Sequence, residues 1–183
     1  FLLVWPMQEP FFFAPWVAGF GQSFVSSTST TPQLDTPAMV NALSFIKNLR
    51  ESSFVPKEAD YETANSLFKT GKVAIIINGD WSWGDYKKAG INFGIAPMPK
   101  VKSTGLWPSP LISTLGYSIN KNTTADKILA TKKFLRFMLS NEAQLKFTKE
   151  VGTLPSRLSA RKDKIVTQDR LLQSATEIMK LGQ

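Results

Sequence analysis

The residues best equipped for chemistry stand in Val73–Tyr86, VAIIINGDWSWGDY, where an apolar run ends in a carboxylate and closely spaced aromatics. Val73 to Ile77 is almost unbroken and largely β-branched, with Gly71 before it and Asn78-Gly79 after it. That pattern predicts a short central strand covered on both faces. Asp80, Trp81, Trp83 and Tyr86 follow just beyond its carboxyl end, where open α/β sheets place their binding crevices. A flat indole beside a hydrogen-bonding carboxylate suits a polyhydroxylated ring. Tryptophans are also highly buried on average, so a core or interface role for Trp81 and Trp83 stands beside the binding role.

Composition narrows the chemistry further. With 183 residues and 43% apolar content, the chain has enough material for one ordinary domain, or parts of two, with a packed core. It has no cysteine and no histidine, which removes thiol nucleophiles, disulfides, the usual zinc sites and every histidine-based triad. Nothing in it calls for a cofactor or a metal. Lys and Arg outnumber Asp and Glu by 22 to 14, a net charge of +8. Those cations are scattered along the expected helices 126–139 and 157–180 and form no dense run, so they read as a solvated basic surface, with no nucleic-acid partner. No stretch approaches the ~20 apolar residues of a membrane span. The opening FLLVW is too short for a signal peptide, and Phe1 lies inside an expected strand, Phe1–Val4, so a fragment or processed product is expected.

The elements that must position these residues follow from spacing and punctuation. Gln8-Glu9-Pro10 ends the first strand, and the aromatic density of FFFAPW (11–16) suits a helix packed against a pocket wall. Ser26–Gln33 is a polar turn segment. Asp35-Thr36-Pro37 opens a helix whose Met39, Leu43, Ile46 and Leu49 make one apolar face. Tyr61–Thr70 is a second helix, with Ala64, Leu67 and Phe68 inward and Gly71 as its stop. Ile91–Ala96 reads as a strand running into Pro97-Met98-Pro99, and Leu111–Asn120 alternates like a returning strand, together resembling a two-stranded hinge. Thr124 and Ser140 open two more helices, the first carrying Ile128, Leu129, Phe134, Leu135 and Met138 toward a core, the second stopping at Gly152. A last helix runs from about Gln168 to Lys180.

Four segments, in this order, carry a family resemblance: QEPFFFAPW, FKTGKVAIIINGDWSW, NFGIAPMP and LATKKFLRFMLSNEAQLKFTKEVGTLPSR. They resemble the extracellular solute-binding proteins of ABC importers, in the group that includes maltose- and maltodextrin-binding proteins. The resemblance implies an α/β, periplasmic-binding-protein-like fold of two lobes that close around a ligand. Residues 1–93 and 153–183 would form most of one lobe. Residues 94–152 would cross the hinge and add a strand and two helices to the other lobe, whose remainder is missing. It also implies capture of a carbohydrate, an oligosaccharide such as a maltodextrin, for delivery to the membrane permease. The setting would be periplasmic or extracellular, with lipid anchoring as an option, and the full-length protein a monomer. Among site residues, Glu9 looks like the family carboxylate that bonds sugar hydroxyls. Phe11 stands where an aromatic, commonly Tyr, lines the pocket. Trp81 is similar to the tryptophan on which a sugar ring stacks. Arg157, in a family loop that often reaches the crevice, could donate to vicinal hydroxyls or a carboxylate, though an exposed residue at a helix start is the slightly favoured reading. Asp80 stands where proline is common, so its ligand role comes from its chemistry alone, and Trp83 is either pocket or packing.

The rival from another class is a glycoside hydrolase using Glu9 and Asp80 as paired carboxylates. Such a pair would have to sit ~5–10 Å apart with one pKa raised. The resemblance speaks against it, because family members release their ligand unaltered.

Overall fold

The computed structural model describes residues 1–23, 32–113 and 116–182. The elements in chain order are β1 (Leu3–Val4), α1 (Pro10–Gly19), α2 (Pro37–Glu51), α3 (Tyr61–Lys69), β2 (Ile75–Ile76), α4 (Trp83–Lys88), α5 (Ala125–Met138), α6 (Asn141–Val151), α7 (Lys164–Thr167) and α8 (Arg170–Met179). Packing gathers them into two compact units, Phe1–Ile112 with Ile178–Gln183 in one and Ser113–Glu177 in the other. The lobes expected from sequence are a different partition, defined by sides of a ligand crevice and not by packing. Most of the polar turn expected at Ser26–Gln33 lies outside the described residues.

In the first unit β1 and β2 pair in parallel, Leu3 opposite Ile75 and Val4 opposite Ile76. The chain between them supplies α1, α2 and α3, the helical crossover that a parallel pair requires. Two apolar clusters flank this pair. One joins Trp5, Phe12, Trp16, Val17, Met39, Ala42 and Val55, with Ile77 packed against it; the other joins Val4, Ala59, Ala64 and Val73, with Leu67, Phe68 and Ile76 against it. Ile76 and Ile77 thus look to opposite sides, as the two-residue period of a strand demands. The strand is shorter than expected, and its cover is incomplete, since Ile75 is 50% exposed. Among the described residues β2 has one ladder neighbour, β1.

Helix ends follow local chemistry. The Thr36 hydroxyl accepts from Met39 N at 3.3 Å to open α2, with Pro37 at the first helical position. Asp60 Oδ1 accepts from Thr63 N at 2.7 Å to open α3. The Thr63 side chain and then its backbone N–H, both bonding the carboxylate, hold the Asp60 carboxyl below its ordinary value. At the other end of α3, Gly71 adopts φ +69°, Lys72 N donates to Leu67 O and Gly71 N to Phe68 O, a Schellman stop. On α2 the expected apolar face is only partly realised. Met39 and Ala42 are buried and Ile46 and Leu49 half-buried, but Leu43 is exposed, and Phe45 takes a place beside Trp16 at 5.4 Å.

The second unit contains α5, α6, α7 and most of α8. Ser140 Oγ accepts from Ala143 N to open α6, and Gly152 closes it at φ +85°. Thr124 stands at the opening of α5 without a side-chain cap bond, and α5 has no buried residue among those described. Its expected core face is therefore a correction: Ile128, Leu135 and Met138 are half-buried, Leu129 and Phe134 exposed. The strands expected at Ile91–Ala96 and Leu111–Asn120 carry no ladder among the described residues. Pro97 and Pro99 remove backbone donors there, and Ile91 N is engaged with Tyr86 O at the end of α4.

Candidate functional site

The loop after β2 is built on a buried polar network. Asn78 Nδ2 donates to Asn65 Oδ1 at 3.0 Å and to Tyr86 Oη at 2.8 Å, and Tyr86 Oη donates to the same Asn65 oxygen at 2.6 Å. Asn78 Oδ1 accepts from Gly79 N at 2.8 Å, while Asn65 Nδ2 donates to Tyr61 O at 2.7 Å. Asn65 and Tyr86 are both buried. Each polar atom there needs its partner, because an unmatched one costs about 1–3 kcal/mol. Burial also pushes the Tyr86 phenol above its ordinary value of 10.0. The network joins α3, β2 and α4, and so sets where the loop between β2 and α4 departs.

That loop turns at once into a 3-10 segment, Asp80–Ser82, tightened by Ser82 Oγ donating to Gly79 O at 2.6 Å. Trp81 projects from it and is 53% exposed. Its indole lies over the backbone of Gly79, where an added Cβ would overlap ring atoms Cζ3, Cη2 and Cε3. Its centroid stands 5.9 Å from that of Phe11 and 6.5 Å from that of Phe12, at interplanar angles of 57° and 61°. Phe11 and Phe12 meet edge to face at 5.3 Å. Trp81 Nε1 donates to the Tyr61 hydroxyl at 2.8 Å. The first turn of α1, the loop after β2 and the first residue of α3 therefore converge on one exposed aromatic shelf.

Of the residues singled out from sequence, the structure brings Phe11 and Trp81 together. Glu9 stands exposed immediately before α1, making no side-chain cap bond, with its carboxylate at the end of the helix that favours negative charge. Asp80 is half-buried beside Trp81 and opens the 3-10 segment. Trp83 is buried, in the first turn of α4, and presents no open face. Arg157 belongs to the second unit, where Nη1 donates to Leu139 O at 3.0 Å and Nε to Ser159 Oγ at 3.1 Å, tying its loop to the end of α5. Tyr61 and Gly79 are shelf residues that sequence reasoning missed. Tyr61 carries no signal beyond following the capping Asp60, and it meets Trp81 only across 20 residues of chain.

A shelf of this kind, assembled around INGDW after a parallel strand, agrees with a family assignment. A family model for bacterial extracellular solute-binding proteins matches residues 4–174. The chain belongs to that family. The resemblance read from the four sequence segments is borne out. Among curated relatives, a maltotriose-binding protein of Pyrococcus abyssi is 28% identical over 179 residues, covering 93% of this chain and 37% of that protein. Among solved structures, a maltose/maltodextrin-binding domain from Bdellovibrio bacteriovorus bound to maltotriose superposes with a TM-score of 0.90 at 47% identity, covering 100% of this chain and 48% of that one. A Thermus thermophilus maltotriose-binding protein, also with maltotriose, gives 0.83 at 28% identity, with 100% and 49% covered. These solute-binding relatives support the two-lobed α/β class, of which this chain matches a part. The chain spans about half the length of the solved structures and less of the curated relative.

Proposed function

We propose that this chain is part of the ligand-capturing component of an ABC importer, and that it contributes one wall of a site for a neutral oligosaccharide of the maltodextrin type. The observation that carries the reading is the Trp81 indole, half exposed, with its N–H held by Tyr61 and the Phe11 ring tilted against it. A pyranose ring can lay its C–H face on such a surface at little entropic cost, because the surface is already ordered. Glu9 and Asp80 supply acceptors for the ring hydroxyls, and Phe11 supplies apolar contact where a tyrosine would add a hydroxyl. The related proteins that bind maltotriose support this ligand class. We assign residues 1–93 and 153–183 to one lobe and 94–152 to the crossing toward the other. The protein works as a monomer outside the cytoplasmic membrane, docks on the permease subunits through its lobe surfaces, and performs no catalysis.

The test is tryptophan fluorescence of the protein at the full length of its relatives, titrated with maltose, longer maltodextrins, other disaccharides and a sugar phosphate. A saturable change with maltodextrins that Trp81→Ala abolishes is the expected result. Saturation by the sugar phosphate alone, or by none of the panel, refutes the ligand class. Release of reducing sugar from the oligosaccharides would favour the hydrolase instead.

A further inference from the structure

Trp81 has more ways to move than its place in the site allows. A half-exposed tryptophan in a loop samples several staggered rotamers, and in each of them water can satisfy the indole N–H. Three sets of contacts restrain it: the Gly79 backbone beneath the ring, the Phe11 and Phe12 rings beside it, and the Tyr61 hydroxyl at its N–H. The first two are apolar contacts that tolerate sliding. The third is directional, since a 2.8 Å N–H···O bond weakens steeply away from linearity.

Tyr61 is well placed to impose that direction. It is the first residue of α3, following the Asp60 cap, and its carbonyl accepts from Asn65 Nδ2 at 2.7 Å. Its ring is half-buried and packs against the larger apolar cluster. A phenol can accept and donate at once, whereas an indole N–H can only donate. The bond to Trp81 uses the oxygen of Tyr61 as acceptor and leaves the phenolic proton at the margin of the shelf.

We infer that Tyr61 is the positioning residue of the shelf: it locks the Trp81 indole in the orientation that a sugar ring stacks on, and it takes the indole donor out of play so that recognition falls to the ring face. The inference rests on the sugar-binding reading above. It names the ligand class more narrowly, as pyranosides that present a continuous C–H face, since the shelf no longer offers an indole N–H to compete for a hydroxyl.

Tyr61→Phe tests it, because the substitution keeps the ring in its packing and removes only the oxygen. In the full-length protein the Trp81 Nε1–H proton resonance, assigned by its loss in Trp81→Phe, moves upfield and exchanges faster with water. Maltotriose affinity falls by about 3- to 10-fold, the scale of one neutral hydrogen bond. In a Trp81→Phe background, which has no indole N–H, adding Tyr61→Phe changes affinity no further, and that loss of additivity is what a merely structural role of Tyr61 would not produce. An unmoved resonance overturns the inference, as does a moved resonance with unchanged affinity in a parent that binds. A parent that binds no sugar refutes the sugar reading, and this inference with it.

Discussion

Replacing Gly79 with alanine separates the site from the fold more cleanly than any change to Trp81 itself. The backbone at Gly79 has φ −94° and ψ 170°, an extended conformation open to any residue, so alanine brings no strain there. The new methyl would instead occupy the space of the Trp81 ring. To restore ordinary contact the indole must retreat by roughly 1 Å or more, which a half-exposed side chain does readily by changing rotamer. The retreat loosens the ring contacts to Phe11 and Phe12, worth about 0.5–1.5 kcal/mol, and the bond to Tyr61, worth about the same. Against these losses, alanine narrows the unfolded ensemble by about 0.4–1 kcal/mol. Net stability therefore falls by between nothing and about 2.6 kcal/mol, a shift of at most roughly 10 °C in thermal midpoint for a chain of this size. Affinity for a maltodextrin depends on the ring's placement itself and falls by about 10- to 100-fold, or roughly 1.4–3 kcal/mol. Calorimetric titration alongside thermal unfolding measures both. The decisive control is Trp81→Ala, in whose background Gly79→Ala has no ring to displace and costs nothing further. Parent-like affinity for Gly79→Ala, or a loss of affinity that persists unchanged in the Trp81→Ala background, would refute the reasoning.

Other perturbations probe the supports of the shelf. Asn65→Ala strips the acceptor from both Tyr86 Oη and Asn78 Nδ2 and should cost about 1–3 kcal/mol, seen as a drop of about 3–10 °C in thermal midpoint. Because burial raises the Tyr86 phenol above 10.0, its contribution to stability is complete below pH ~10 and is lost as pH climbs through the raised folded value. Tyr86→Phe should therefore flatten the alkaline fall in thermal midpoint that begins above the ordinary phenol value, while lowering stability near neutrality through its lost hydrogen bonds. Gly19→Ala would bring a methyl to 2.8 Å from Val101 Cγ2 and 3.3 Å from Pro108 Cγ. An overpacking cost of about 1–3 kcal/mol is expected there, partly offset by better helix propensity, and Val101→Ala should relieve it.

Helices were the legible part of this chain, because their signals are local. The helix over Tyr61–Thr70 could be read from its own spacing and its glycine stop, and α6 from Ser140 and Gly152 in the same way. What spacing cannot report is whether an apolar face meets anything. The faces of α2 and α5 have the same periodicity, yet Met39 and Ala42 are buried while Leu129 and Phe134 stand exposed. Strands suffered for the matching reason, since a strand exists only by its neighbour. Ile91–Ala96 has the composition of one without a ladder among the described residues. In the site, the tryptophan loop could be picked out by density of unusual residues. Tyr61 and Gly79 could not, because their importance lies in contacts made by someone else's ring.

Two tryptophans show why exposure at the shelf bears on function. Trp16 is buried between Trp5, at 5.5 Å, and Phe45, and its Nε1 has no hydrogen-bond partner among the described residues. Folding tolerates that orphan donor, at about 1–3 kcal/mol, because the ring's burial returns more. Trp81 is the reverse case. It leaves half its surface in water, and its N–H, which water would satisfy without cost, is instead held by a tyrosine from another helix. Folding gains little from either feature, since exposing the ring forgoes apolar burial and fixing it costs side-chain entropy that offsets part of the bond. An ordered apolar face held open to solvent is, however, what lowers the entropic cost of receiving a flat ligand. The same ring left mobile would add its own ordering cost to every binding event, which is why the Tyr61 bond serves binding beyond its modest contribution to stability.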